Sequence, residues 1–284
     1  MRLSASEFIQ SQQKRISLLG MSGVGKSTLA KKLPSDNWFH YSGDYRIGTR
    51  YLDEEIHDAL LKEAMRLPMF KHLLRSDSIY IRSNLTVENL GPLSAFLGKL
   101  GNPELQGIEL AEFKRRQKLH HDAEIKTFHD VPKFIQRADE IYGYQHFLND
   151  AGGSLCELDD PSVMQTLAEH TVIIYLQASS DDEELLITRA QSHPKPLYYR
   201  ADFLDEQLAV YMEQKKLRYV AEINPDDFVV WVFPALFKSR VPRYEMLAAR
   251  YGYSVDARRV LDVRDEKDFL DLVAESIDKH ATAS

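Results

Sequence analysis

The segment ISLLGMSGVGKST, residues 16–28, constrains the fold of this chain more than any other stretch. Residues 16–19 suit a buried strand, and residues 20–27 match the pattern G-x-x-x-x-G-K-[ST] at every fixed position. Glycines at 20, 23 and 25 permit positive φ angles, which turn successive backbone N–H groups inward around an anion. The pattern therefore predicts a strand, a phosphate-binding loop and a helix in succession. The structural alternative is a glycine-rich turn that binds nothing.

The loop and the first turn of the following helix are the predicted nucleotide-binding residues. Lys26 is expected to reach the β- and γ-phosphates and to act in catalysis, and the Ser27 hydroxyl to hold Mg²⁺. The helix is predicted to begin near Lys26 and to continue through Leu33, with its partly positive N-terminus towards the phosphates. The full predicted set of nucleotide-binding positions in this segment is Gly20, Ser22, Gly23, Val24, Gly25, Lys26, Ser27 and Thr28.

Composition limits the classes of partner. The chain has 284 residues, of which 44% are hydrophobic, enough for a substantial core. Its net charge of -7 argues against a broadly basic surface for nucleic acid or anionic lipid, so small-molecule partners are expected. Cys156 is the single cysteine, and we expect it to be buried and not a nucleophile, in a reducing cytoplasm. No signal-peptide core or run of eighteen apolar residues occurs, so no membrane association is expected.

Four further segments have the character of strands. Residues 37–41 are followed by the sequence SGD at 42–44, and residues 145–150 end in an aspartate. Residues 171–176 form a continuous buried run, and residues 253–255 suit a last strand. Residues 52–142 show mostly helical spacing. We therefore predict a nucleotide-binding core from residues 1–50 and 144–284, interrupted by a helical insertion at 51–143. The insertion is expected to bind the acceptor or to act as a lid.

Polar residues follow the second and third predicted strands. Asp44 is placed to accept the proton of an acceptor hydroxyl, or to fix a water on Mg²⁺, because ligands bind beyond the carboxyl ends of parallel strands. Arg46 is a candidate for binding an anionic acceptor. Asp150 is predicted to act on the Mg²⁺ shell, and Gly152 and Gly153 to let the backbone approach the acceptor. The alternatives are a turn or capping aspartate at 44, a solvated arginine at 46, and an ordinary Asp-Ala-Gly-Gly turn.

Later segments contain two candidate phosphate-binding cations and one stretch in which the signals for helix and strand disagree. The acidic run at 181–184 opens a helix that carries Arg189, and Arg189 with Lys195 is a candidate clamp for the phosphates during transfer. Residues 228–233, FVVWVF, have strand propensity but follow the helix-opening sequence NPDD. We predict a helix there, then the pentad RVPRY at 240–244, then a further helix to Arg250.

Two patterns within the insertion have a functional and a structural interpretation. The basic residues at 114–116 and 118 suggest an anion-binding patch, but mixed charges on a helix are typical of a solvated face, which we favour. His120 and Glu124 have the i, i+4 spacing of metal ligands, yet no third ligand is evident.

Taken together, these motifs resemble the shikimate kinase-like branch of P-loop small-molecule kinases. The resemblance implies a P-loop NTPase fold, an α/β three-layer sandwich with a mostly parallel five-stranded sheet, here with a helical insertion. It implies that Arg240 binds the acceptor, that Asp44 contacts the acceptor hydroxyl, and that Arg189 and Lys195 form the nucleotide-side lid. The chain departs from the family pattern at Ser42, which stands where a second aspartate is usual, in its two rather than three glycines at 152–153, and in having Lys195 as the lid cation. Shikimate itself is therefore not carried over.

These inferences predict an ATP- and Mg²⁺-dependent phosphotransferase that acts on a small hydroxylated, anionic metabolite. The alternative is a P-loop ATPase that works as a nucleotide-dependent switch and binds a partner protein through the helical insertion.

Overall fold

Five parallel strands form the centre of the protein. The computed structural model describes residues 2–283, without the side chains of residues 180–182 and 281–283. The strand order is β2-β3-β1-β4-β5, and all four neighbouring pairs are parallel. Strands β3 and β4 are buried along nearly their whole length, as expected for a sheet covered on both faces. The strands are β1 Arg15–Leu19, β2 Trp38–Ser42, β3 His146–Asp150, β4 Val172–Gln177 and β5 Tyr253–Asp256.

Helices make up most of the remaining chain. The α-helices are α1 Ala5–Gln10, α2 Lys26–Ala30, α3 Gly43–Arg46, α4 Asp53–Ala64, α5 Pro68–Arg75, α6 Gly91–Leu97, α7 Leu110–His129, α8 Val131–Glu140, α9 Pro161–His170, α10 Ser180–Ser192, α11 Ala201–Lys215, α12 Pro225–Tyr251, α13 Arg259–Asp262 and α14 Glu266–Ala283. Residues Ile47–Tyr51 form a π-helical turn, and short 3₁₀ turns lie at Pro103–Leu105, Leu155–Glu157 and Val220–Glu222. The prediction of an α/β fold with a mostly parallel five-stranded sheet is confirmed. No helix among residues 2–283 combines the length and apolar content needed to cross a bilayer.

The chain divides into two compact units. The first unit contains the sheet and comprises Met1–Gly43, Glu124–Pro194 and Val230–Ser284. The second unit comprises Asp44–Ala123 and Lys195–Val229. Residues 195–229 thus belong with residues 44–123 in the second unit, and the predicted assignment of 51–143 to acceptor binding or a lid stays a prediction.

Each unit has its own hydrophobic core, formed by different secondary-structure elements. In the first unit, apolar residues of the strands and the helices covering them form one large buried cluster, including Ile16, Leu18, Leu148, Ile173 and Phe269. In the second unit, a smaller cluster is formed by Ile47, Leu52, Ile56, Leu93, Phe96 and Ala123. The helical spacing of Leu52 and Ile56 in the sequence therefore marks residues that are buried inside their own unit.

Helix α12 resolves the conflict at residues 228–233 in favour of a helix. Asn224 caps its first turn, with Oδ1 accepting from the backbone N–H of Asp226 at 3.0 Å and of Asp227 at 3.2 Å, and Pro225 occupies the first helical position. The expected interruption at 240–244 was wrong, because one helix continues from Pro225 to Tyr251.

A buried stripe keeps α12 continuous through its internal prolines. Leu236, Arg240, Tyr244 and Ala248, at intervals of four residues, are all buried on one face of the helix. This burial offsets the backbone hydrogen bond that Pro242 removes.

The helix after the phosphate loop is shorter than predicted. Helix α2 ends at Ala30, shorter than the predicted extension to Leu33, and the chain continues through a turn to Pro34, which disfavours helical backbone at Leu33.

Candidate functional site

The phosphate-binding loop follows β1 directly and presents free backbone donors. Gly20, Gly23 and Gly25 have φ angles of 141°, 92° and 101°, all in the region that favours glycine. The Val24 amide bonds the Met21 carbonyl at 3.4 Å. Among the residues that the structure describes, the amides of Ser22, Gly23 and Gly25 make no hydrogen bond. Unsatisfied N–H groups on a turn of this kind form an anion-binding concavity.

The glycines at 20 and 23 are also required by packing. A Cβ added at Gly20 would lie 2.8 Å from the Leu176 carbonyl oxygen, at the end of the neighbouring strand β4. A Cβ at Gly23 would lie 2.8 Å from Cδ2 of Leu186, on helix α10. Strand β4 and helix α10 therefore hold the loop closely on two sides.

The Lys26 side chain lies inside the loop and bonds to its carbonyl oxygens. Its ammonium donates to the carbonyl oxygens of Gly20 at 2.8 Å and of Met21 at 3.0 Å, and the residue is 7% exposed. A positive charge therefore lies inside the turn formed by the free amides.

Ser27 and Asp150 meet at the carboxyl end of the sheet. Strands β1 and β3 are neighbours, with Leu18 opposite Asp150, so the last residue of β3 lies beside the loop. The Ser27 hydroxyl donates to Oδ2 of Asp150 at 2.6 Å. A hydroxyl and a carboxylate in contact are oxygen ligands of the type that Mg²⁺ prefers.

His40 is a neighbour of this pair. Its Nε2 lies 3.7 Å from Oδ2 of Asp150. Burial raises the pKa of Asp150, but the His40 imidazole, the Lys26 ammonium and the Ser27 hydroxyl lower it by more, so the net shift is downward. The carboxylate is therefore held in its ionised form. Sequence reasoning missed His40, although its alternation with Ser42 in β2 places both side chains on one face of the strand.

The Gly152–Gly153 turn packs directly against the phosphate loop. A Cβ at Gly153 would lie 2.7 Å from the backbone nitrogen of Ser22, in the middle of the loop. The next residue, Ser154, donates its hydroxyl to Oε2 of Glu124 at 2.6 Å, and both side chains are buried. The turn is therefore fixed between the loop and a buried carboxylate.

Arg240 lies in a buried ion pair. Its Nη2 donates to Oε2 of Glu157 at 2.8 Å, and its Nη1 donates to the carbonyl oxygen of Gly153 at 3.1 Å. Arg240 is 4% exposed and Glu157 is 2% exposed. The guanidinium thus holds the turn that contacts the loop. Sequence reasoning missed Glu157, because no motif links it to Arg240 across more than eighty positions.

The remaining predicted residues are placed as follows. Arg189 is exposed on α10, three residues after Leu186, which contacts Gly23 of the loop. Asp44, Arg46 and Lys195 belong to the second unit. There Asp44 is half-buried in α3, the Arg46 guanidinium lies 5.6 Å from the centre of the Tyr51 ring, and Lys195 is exposed. The roles predicted for these four residues stay predictions.

Each basic residue at 114–116 and 118 forms an ion pair with an acidic residue of the second unit. Lys114 pairs with Asp205, Arg115 with Glu112 and Glu55, Arg116 with Glu112, and Lys118 with Asp122. This network fits the solvated-face interpretation. Among the described side chains, no group of three or more His, Cys, Asp or Glu residues is arranged to hold a metal ion, and Glu124 is engaged by Ser154.

No protein-family model matches the chain, and no curated protein matches it. Among solved structures, it is similar to the crystal structure of shikimate kinase from Bacteroides thetaiotaomicron, with 14% sequence identity and a TM-score of 0.38. The match covers 95% of this chain and 97% of that chain. A score this low carries no argument, so the fold class rests on the sheet order and on the loop that follows β1.

Proposed function

We propose that the protein is an ATP- and Mg²⁺-dependent kinase that transfers a phosphoryl group to the hydroxyl of a small metabolite. The observation that carries this proposal is the 2.6 Å contact between Ser27 and Asp150 beside a loop with free amides and a buried lysine. N–H donors that suit an anion thus lie beside oxygen ligands that suit a hard cation, at one edge of the sheet.

The residues present fit both groups. The amides of Ser22, Gly23 and Gly25 suit phosphate oxygens, and Ser27 with Asp150 suits Mg²⁺, which is commonly held by one or two carboxylates together with phosphates and water. When bound, ATP supplies the phosphoryl group and Mg²⁺ neutralises its charge. The protein's own contribution is to position these groups and to stabilise developing charge.

Lys26 has a defined task in this scheme. Its ammonium already lies inside the loop, and a small movement of the flexible side chain would exchange its carbonyl contacts for contacts with phosphate. Arg189 is the second cation, because its helix touches the loop through Leu186. Arg240 is assigned a positioning role, since its two terminal nitrogens already serve Glu157 and the Gly153 carbonyl.

The experiment is nucleotide binding measured by calorimetry with ATP and Mg²⁺, followed by ADP release with a panel of hydroxylated acceptors. Lys26→Ala removes a charged donor to two phosphates and is expected to weaken ATP binding by about 100-fold. Lys31→Ala is the matched control, because Lys31 is exposed at the end of the same short helix. Failure of the wild-type protein to bind any nucleotide with Mg²⁺, or unchanged binding by Lys26→Ala, would refute the proposal.

A second candidate function is the nucleotide-dependent switch. Helix α5 of the second unit buries none of its residues, and Leu67 and Met69 beside and within it are 53% and 70% exposed. Contiguous patches of exposed apolar side chains, unlike single ones, mark protein contacts. ATP hydrolysis that is indifferent to every acceptor, and that is stimulated by a protein partner but not after Met69→Ser, would favour the switch over the kinase.

A further inference from the structure

A cavity in the first unit lies apart from the phosphate loop. It has a volume of about 230 Å³, is open to solvent on one side, and is lined by the 3₁₀ turn Leu155–Glu157 with the residues after it, the start of α9, and the C-terminal part of α12. Neither the loop, Asp150 nor the Gly152–Gly153 turn contributes to its lining. It is therefore separate from the site proposed for phosphoryl transfer.

The walls of the cavity are largely apolar. Leu158 and Met164 are each 4% exposed, Val163 is 1% exposed, and Leu247 is half-buried. Dry apolar cavities of about 150 Å³ accept a molecule the size of benzene. A cavity of 230 Å³ therefore has room for a ring or a branched alkyl group together with a short chain.

Three of the four charged residues that line the cavity already have a hydrogen-bonding partner. Arg243 donates to Asp159 at 2.8 Å, which neutralises that pair. Asp160 accepts from the backbone N–H of Ser162 at 2.9 Å, at the partly positive N-terminus of α9. Arg250, which is exposed, makes no ion pair among the residues that the structure describes, and its guanidinium lies 5.0 Å from the centre of the Tyr251 ring.

We propose that this cavity is a second ligand site that takes a small monocarboxylic acid with an apolar ring or branched body. The apolar body fills the space between Leu158, Met164 and Leu247, and the carboxylate pairs with Arg250 at the mouth. Arginine is suited to this because its planar guanidinium binds a carboxylate through two parallel hydrogen bonds.

The test compares 3-phenylpropionate with its neutral amide, 3-phenylpropanamide, by calorimetry or ligand-observed NMR on the full-length protein. The two probes share one apolar body, so the difference between them isolates the charge. The acid is expected to bind about 10-fold more tightly than the amide. Arg250→Gln should abolish that difference, and Met246→Trp, at a position 62% exposed in the lining, should fill the space and weaken both probes.

Two controls separate this site from the proposed kinase site. Lys238→Gln removes an exposed cation from the same helix outside the cavity and should leave the preference for the acid unchanged. Lys26→Ala should also leave binding of the acid unchanged, even though it weakens ATP binding. The proposal is overturned if the wild-type protein binds the acid no more tightly than about 10 mM, if acid and amide bind equally, or if Arg250→Gln retains the preference.

Discussion

Removal of the Arg240 side chain tests whether this residue positions the turn or is held ready for an acceptor. Arg240→Met keeps an apolar stem of similar length but removes the guanidinium. The Glu157 carboxylate, 2% exposed, then remains buried without its cation, and the Gly153 carbonyl loses its donor. Breaking a buried ion pair from one side costs about 3–5 kcal/mol of unfolding free energy.

A matched control lies one turn further along the same helix. Arg243 pairs with Asp159 at the same 2.8 Å distance, but Asp159 is 61% exposed. Solvent screens such a pair, so Arg243→Met should cost about 0–1 kcal/mol. The comparison holds the helix, the residue type and the distance constant, and only burial differs.

Denaturant unfolding followed by tryptophan fluorescence measures both variants. The two tryptophans, Trp38 and Trp231, belong to the first unit, so the signal reports the unit that contains both ion pairs. An unchanged denaturant dependence would show that the comparison reports stability and not a changed unfolded state.

The double variant Arg240→Met/Glu157→Leu completes the test. It removes the buried charge as well, leaving mainly the unsatisfied Gly153 carbonyl, which costs about 1–3 kcal/mol. The double variant should therefore be more stable than Arg240→Met alone by about 2 kcal/mol. If Arg240→Met is no more destabilising than Arg243→Met, or if the second substitution restores nothing, the structural role assigned to Arg240 is wrong.

Three further outcomes follow from single contacts. Gly153→Ala introduces a Cβ 2.7 Å from the backbone nitrogen of Ser22, so the loop must move, and ATP affinity should fall in calorimetry while the fold, checked by circular dichroism, remains. Burial raises the pKa of Cys156 to about 12, so its thiol should react with thiol reagents at pH 8 only after denaturant is added; rapid reaction in the folded protein would contradict this burial. The hydrogen bond from Arg115 lowers the pKa of Glu112 to about 2. The carboxylate therefore stabilises the fold above pH 4.5 and loses this effect as the pH falls towards 2. In acid titrations, the difference in unfolding free energy between wild type and Glu112→Gln should shrink over the same interval.

Sequence reasoning predicted the fold well because its main signals are local. The loop at 20–27, the continuous apolar run at 171–176 and the helix opening at 224–227 each specify a backbone conformation within a few residues. The effect of a proline is harder to predict from the sequence, because it depends on how much of the surrounding helix is buried. Pro34 lies beyond the end of α2, which is short, whereas Pro242 is accommodated in α12, whose buried face extends on both sides of it.

The candidate site was predictable only in part. Ser27 and Asp150 were predictable, because β1 leads into the loop before Ser27 and its parallel neighbour β3 ends at Asp150. The partners that fix these groups come from distant segments. Glu157 pairs with Arg240, Ser154 with Glu124, and His40 approaches Asp150, each across a separation that no local pattern records.

The buried ion pair has a consequence for function that is separate from stability. Arg240 contacts the carbonyl of Gly153, and Gly153 contacts the middle of the phosphate loop at Ser22. Phosphoryl transfer depends on position more than on covalent work by the protein, and a misplacement of about 1 Å can reduce the rate by about 100-fold. An apolar replacement of the pair can recover stability, yet it provides no donor to hold the Gly153 carbonyl. Arg240→Met/Glu157→Leu should therefore recover unfolding free energy without recovering ATP affinity, and recovery of both would mean that packing alone positions the turn.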